Sequence, residues 1–152
     1  MKAVVYNEYA PDDNYAKILK VQDIDDPKPK ADEVVFTVKA AALNYNDIWG
    51  MRGNPVPVPL PHVSGSDAAG DVIAVGEDVK NIKVGDRVVS HSNMSCRVCK
   101  ACTDGREFDC IKRMIWGFQT GPTWGAFQEV THLPEVNVAK IPEGVSYDEA
   151  AA

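Results

Sequence analysis

Short runs of alternating apolar and polar residues, broken by glycine, proline and aspartate, dominate the chain and predict strands far more than helices. Lys2 to Tyr6 reads as a first strand, and Ile18 to Ile24 as a second beyond the turn residues Pro11 to Asn14. Asp25 to Lys30 breaks the pattern, and Glu33 to Ala42 then alternates most clearly. Val34, Phe36, Val38 and Ala40 would face one side, with Val35, Thr37 and Lys39 on the other, as in a strand with one side on a core. Asn44 to Gly50 predicts one or two helical turns. Between Asn54 and His62, prolines at 55, 57, 59 and 61 exclude helix and central strand, leaving a stiff extended loop. That loop is either a connector or a fixed wall beside a cleft. Asp71 to Val75 and Val84 to Val89 supply further strands, Ile115 to Phe118 and Trp124 to Val130 two more apolar pieces, and Val136 to Ile141 the last. About eight short strands with turn signals between them and almost no helix predict a mainly β fold, a closed or nearly closed β-barrel. The pattern changes at Ser146-Tyr147-Asp148-Glu149, a capping box that opens a helix at Ala150. One helical turn is not stable alone, so residues 1–145 are expected to form a domain and 146–152 to lead into a longer polypeptide.

Composition narrows the function classes. A chain of 152 residues with 45% hydrophobic residues has room for one proper core. The net charge of −6 disfavours a nucleic-acid partner, which selects for a basic face. No apolar run approaches the ~20 residues needed to span a bilayer, so no membrane partner is expected. The Met1 start shows no basic-then-apolar leader, which together with the clustered cysteines suits a cytoplasmic address.

All four cysteines lie in one stretch, Cys96, Cys99, Cys102 and Cys110, with spacing C-x2-C-x2-C-x7-C. Four thiolates this close can converge tetrahedrally on one Zn²⁺. Disulfides are the first alternative, but x2 spacings are short for bridges and a chain of this size needs no staples. An iron–sulfur cluster is the second, and the final gap of seven departs from the C-x2-C-x2-C-x3-C-P run. Four unrelated buried thiols are the third, against which the regular spacing argues. Arg97, Lys100, Arg106, Lys112 and Arg113 outnumber Asp104, Glu107 and Asp109 nearby and would help neutralise a Zn–thiolate centre. A site with four protein ligands leaves no position for water or substrate, so this zinc would be structural, one per chain. The scattered histidines His62, His91 and His132 read as surface or satisfied core residues.

Gly70 to Gly76 (GDVIAVG), the turn Val84 to Val88, the four-cysteine lobe at 95–111, Gly125 to Glu129 and the closing Ile141 to Gly144 together resemble the N-terminal, GroES-like domain of the medium-chain dehydrogenase/reductase superfamily. The resemblance covers essentially the whole chain. It implies a GroES-like, partly open β-barrel with short helices and a structural-zinc lobe. It also implies that residues 146–152 begin the linker helix to a Rossmann domain that binds NADP or NAD, and that the full-length protein is a homo-oligomer. No G-x-G-x-x-G follows a strand here, so the chain itself carries no dinucleotide fingerprint.

Zinc-dependent members place a cysteine and a histidine where this chain has Asn44 and Ser66. Amide and hydroxyl groups are poor Zn²⁺ ligands beside thiolate and imidazole, so a catalytic zinc is not expected. The metal-free members are mostly reductases of activated C=C bonds. Asn44-Tyr45-Asn46, His62 to Asp67 and Ile115 to Thr120 are similar to the corresponding segments of crotonyl-CoA carboxylase/reductases and acryloyl-CoA reductases. Gln119 stands where the carboxylating enzymes have glutamate, which favours plain reduction over carboxylation. The resemblance therefore implies an NAD(P)H-dependent oxidoreductase acting on an acyl-CoA thioester. Asn44, Tyr45, Asn46 and Ser66 are its uncharged donors and Gln119 a group that orients the substrate; Asn44 could equally cap the helix that follows. Trp49 and Phe118 read as packing residues. The competing readings are a zinc alcohol dehydrogenase, a quinone oxidoreductase and, more remotely, a non-enzymatic GroES-like binding module.

Overall fold

The computed structural model describes all residues, 1–152. Nine short strands and four short helices follow one another in the order β1 (Lys2–Val5), α1 (Tyr15–Ile18), β2 (Lys20–Asp23), β3 (Glu33–Ala42), α2 (Tyr45–Arg52), β4 (Asp67–Val75), β5 (Arg87–Ser90), β6 (Asn93–Met94), α3 (Lys100–Thr103), β7 (Met114–Ile115), β8 (Val130–Pro134), β9 (Val138–Lys140) and α4 (Tyr147–Ala151). The main sheet is antiparallel with order β8-β3-β4-β5-β9; β1 pairs with β2 and β6 with β7 in two separate ribbons. The expected barrel is thus a curled five-stranded half-barrel, mainly β as predicted. No helix is long and apolar enough to cross a membrane.

The core lies inside the curl. Val34, Phe36, Ala68, Val72, Val88, Trp116 and Leu133 are buried together there. Removing each such large side chain from water stabilises the fold by roughly 1.5–3 kcal/mol. A second cluster of Tyr6, Ala10, Ile18, Met51, Val58 and Phe118 seats α2 beside the sheet. The proline loop contributes Val58 to it, and the Tyr9 hydroxyl donates to the Val58 carbonyl at 2.8 Å. The Ser146 capping box forms as read, its N–H donating to Glu149 Oε2 at 2.8 Å. Against the sheet, Ala151 is buried with Ala69 and Ile141.

Several boundaries differ from the pattern reading, for tertiary reasons. Ile18 closes α1 and is buried in the second cluster, so the second strand begins only at Lys20. At its start β3 is covered on both sides: Glu33, Val34, Val35 and Phe36 are all buried, and β4 and β8 pair along its two edges. A charged residue at that position concealed the double burial. Strand β4 starts at Asp67, four residues earlier than expected, held by its ladder with β3 down to Ala42–Asp67. Of Ile115 to Phe118 only Ile115 is strand, the end of β7, and Trp124 to Val130 is mostly irregular chain entering β8. A 3₁₀ turn at Glu135–Asn137 precedes β9.

One histidine is fully buried and a second is half-buried. His62 is fully buried, with Nδ1 3.1 Å from the Pro59 carbonyl oxygen and Nε2 3.1 Å from that of Gly117. His132 stacks on Trp124 at 5.0 Å and meets buried Glu33 at 3.1 Å. Burial holds both imidazoles below their ordinary range. The unfolded chain therefore takes up protons that the folded chain resists, and stability falls as pH drops below about 6.5, the ordinary imidazole value. Urea midpoints should decrease between pH 7 and pH 5, and His132→Gln should flatten that decrease. An identical slope in the variant would contradict this.

Candidate functional site

Asn44 is the N-cap of α2. Its Oδ1 accepts from the Asn46 N–H at 3.3 Å, and its own N–H donates to Asp47 Oδ2 at 2.8 Å. The carbonyl end of the amide is therefore committed to the cap, which leaves Nδ2 as the outward end. That group lies 3.5 Å from Asp67 Oδ2, a long and weak contact. Tyr45 is exposed and meets Trp49 edge-on at 5.4 Å, while Asn46 is half-buried. Ser66 is 1% exposed, and its hydroxyl has no hydrogen-bond partner. Gln119 uses Oε1 to accept from the Ile115 N–H at 2.9 Å, pinning its own turn.

Three segments converge at Gly65. Its N–H donates to Asp47 Oδ1 at 3.0 Å, and its carbonyl accepts from Ala126 N–H at 2.9 Å. Gly117 lies so close that a Cβ there would stand 1.8 Å from the Gly65 carbonyl oxygen, and its φ of +71° is one that side chains avoid. Gly65 itself, at φ +101°, has only 2.7 Å for a Cβ before the Ala126 methyl. The start of α2, the 64–67 turn and the 115–119 turn are thereby held together by glycine contacts and one buried carboxylate.

Beside them lies a cavity of about 280 Å³. Val4, Leu19, Leu43, Ile48, Met51 and Phe127 make it mostly apolar, and Asn44, Asp47, Tyr6 and Ser64 supply its polar wall. Of the five uncharged residues singled out by sequence, Asn44 alone lines it. Tyr45, Asn46, Ser66 and Gln119 do not reach this cavity. Phe118 is buried as expected, whereas Trp49 remains 38% exposed. Sequence reading missed Tyr6, Ser64 and above all Asp47. Asp47 was detectable: Asn-x-x-Asp is a capping pattern, and an acid at its third position is drawn back to the cap.

The four-cysteine lobe stands apart, framed by β6, β7 and α3. All four sulfurs lie within 4.8 Å of one another, with Sγ–Sγ distances of 3.5 Å for Cys99–Cys102 and Cys96–Cys110 and 4.0 Å for Cys96–Cys102. Sulfurs at ~2.3 Å from a central Zn²⁺ would be about 3.8 Å apart, so the donor set fits a tetrahedral ion. No other group of three or more His, Cys, Asp or Glu side chains converges in this way. Backbone N–H groups of Val98 and Cys99 hold the Cys96 thiol down to about 6, as suits a thiolate ligand, whereas burial pushes Cys102 up to about 11. The surrounding cations are largely spent on local acids: Arg97 on Glu107 at 3.2 Å, Lys100 on Asp104 at 2.9 Å and Arg106 on Asp109 at 2.8 Å. The expected excess of free positive charge around the sulfurs is correspondingly smaller.

Comparison with known proteins places this architecture. A solved NAD-dependent alcohol dehydrogenase is 39% identical, with a TM-score of 0.90 over 100% of this chain and 43% of its own. Crotonyl-CoA carboxylase/reductase of Cereibacter sphaeroides is 35% identical over 139 residues, 88% of this chain and 32% of that protein. Acryloyl-coenzyme A reductase of Sulfurisphaera tokodaii is 32% identical over 132 residues, 87% of this chain and 38% of that protein. The chain thus spans about a third of the length of these curated relatives.

Gly117→Ala should displace the 115–119 turn from Gly65 and lower stability by about 1–3 kcal/mol, through overpacking and a strained φ. Denaturant unfolding checks this, and a neutral result would show that the turn is free to move. Residues 30–143, three quarters of the sequence, match the alcohol dehydrogenase GroES-like domain, and the chain belongs to that family.

Proposed function

We propose that this chain is the substrate-side domain of an NAD(P)H-dependent reductase that saturates the activated C=C bond of an enoyl-CoA, of the acryloyl or crotonyl type, without a catalytic metal. The nicotinamide site would lie in a Rossmann domain joined through the helix that starts at Ser146. One zinc, bound by Cys96, Cys99, Cys102 and Cys110, would shape the lobe and leave no open coordination position. The observation that carries the reading is the Asn44 amide. Its carbonyl is used up by the α2 cap and its Nδ2 is presented outward, while Ser66, at the other position read as a metal ligand in zinc-dependent relatives, has a buried hydroxyl without a partner.

A nicotinamide cofactor held by the adjoining domain would supply the hydride taken up at the β-carbon of the enoyl group. The C=C electron pair then moves toward the thioester carbonyl, and negative charge grows on its oxygen. Asn44 Nδ2 donates a hydrogen bond to that oxygen, and its fixed direction means no reorganisation is needed as charge develops. A solvent proton completes the reaction at the α-carbon. Ile48 and Met51 give the cavity beside Asn44 an apolar wall against which the enoyl carbons would lie. Carboxylation is not part of this scheme, since Gln119 carries no charge and its Oε1 is bound to Ile115 N–H.

A second reading, an alcohol dehydrogenase or quinone oxidoreductase, draws on the 39% identity to the NAD-dependent alcohol dehydrogenase. A substrate screen of the chain joined to its cofactor domain separates the two. Crotonyl- or acryloyl-CoA should be reduced with NADPH or NADH, and primary alcohols and quinones should be far poorer substrates. Asn44→Ala should lower kcat by about 10²-fold, the usual loss of one such donor. Efficient alcohol oxidation, or an unaffected Asn44→Ala variant, would overturn the proposal. The 152-residue chain alone should oxidise no NADPH with either thioester.

A further inference from the structure

Asp47 is the least expected charge in the molecule. It is 3% exposed, sits in the first turn of α2, and has both carboxylate oxygens engaged by backbone N–H groups. Oδ2 takes the Asn44 N–H at 2.8 Å; Oδ1 takes the Gly65 N–H at 3.0 Å from a segment 18 residues away. Beyond the end of the β3–β4 ladder, the Gly65 bond is the only hydrogen bond of ordinary length that ties the start of α2 to the 64–67 turn, and the Asn44 bond ties the same carboxylate to the cap. The Asn44–Asp67 contact at 3.5 Å is too long to do so. An ionised, doubly engaged carboxylate is needed for both bonds at once: a neutral amide in its place offers one acceptor and turns a donor toward the other N–H.

We propose that Asp47 is the positioning residue of this site: its carboxylate clamps the Asn44 cap to the Gly65 turn and so fixes the direction in which the Asn44 amide donates. This rests on the role given above to Asn44, and it adds a residue that touches no substrate. The clamp also carries a dependence on pH. Burial raises the affinity of Asp47 for a proton, backbone donation from Asn44 and Gly65 opposes this, and the Asp67 charge adds to the rise. Tyr6 is the other titratable side chain that feels the Asp47 charge, and burial holds it protonated far into the alkaline range. Acidification through a midpoint above the ordinary aspartate range therefore protonates Asp47 and releases one of its two partners, while Tyr6 stays neutral throughout.

Two measurements test the clamp. In ¹⁵N-labelled protein, the Gly65 backbone amide and the Asn44 side-chain amide should shift together on acidification, with a shared midpoint above the ordinary aspartate range of about 3.9. Both shifts should vanish in Asp47→Asn. In the chain joined to its cofactor domain, Asp47→Asn should lower kcat with crotonyl-CoA by roughly 10²-fold, the scale of an ångström-sized misplacement. KM should stay within about threefold, and the acid limb of kcat should disappear. Asp47→Glu, which keeps the charge, should recover part of kcat. If the amides titrate independently, or the loss falls on KM alone, the clamp is wrong. If the wild-type protein reduces no enoyl thioester, the proposed function fails, and the paired amide titration still decides the role of Asp47.

Discussion

Four sulfurs gathered within 4.8 Å of one another are the constraint on which the second half of the chain depends. Between Ser95 and Ile111 only Cys102 and Cys110 are buried, while Val98, Phe108 and Ile111 lie 79%, 65% and 90% exposed. A lobe with so little apolar burial has no hydrophobic reason to hold its shape. Its ion pairs are exposed, and such pairs contribute about 0–1 kcal/mol each. Thiolates repel one another, so the proposed zinc at their centre would turn the least stable arrangement of the lobe into its anchor. The lobe hands the chain on through β7 to Trp116 and Gly117, where it re-enters the core.

From that point the geometry is set by close contact. Gly117 lies on Gly65, Ala126 binds the Gly65 carbonyl and Asp47 binds its N–H. Fully buried His62 braces the same turn through the Gly117 carbonyl. The uncharged groups read from sequence are thus collected by backbone, and their side chains are divided among caps, turn bonds and the cavity wall. This separates two tasks. Sulfur chemistry shapes a peripheral lobe, and amide and hydroxyl groups line the cleft side of α2.

Strand content and the order of elements were legible because alternation and turn residues are local signals. The capping box at Ser146 and the cap at Asn44 were legible for the same reason, as was the sulfur cluster, whose spacing is written in the chain itself. What escaped was set by contacts distant in sequence. The burial of Glu33 involves His132 on β8 some hundred residues later, so a strand opening on Glu33 read as one-sided. Ile18 joined a helix because the second apolar cluster claims it. The cavity is assembled from β1, α2, the 64–67 turn and Phe127, and no window of sequence contains all of them. Asp47 was overlooked because an acid on a helix ordinarily faces water, and only the fold reveals that its second oxygen is met by Gly65.

The central claim is that one ion serves shape and none serves the cleft. X-ray absorption at the zinc edge of the purified protein, with metal content measured on the same sample, tests it most directly. The account predicts one zinc per chain surrounded by four sulfurs at about 2.3 Å. A second tightly held metal with nitrogen or oxygen neighbours, or thiols that bind no common ion, would contradict it.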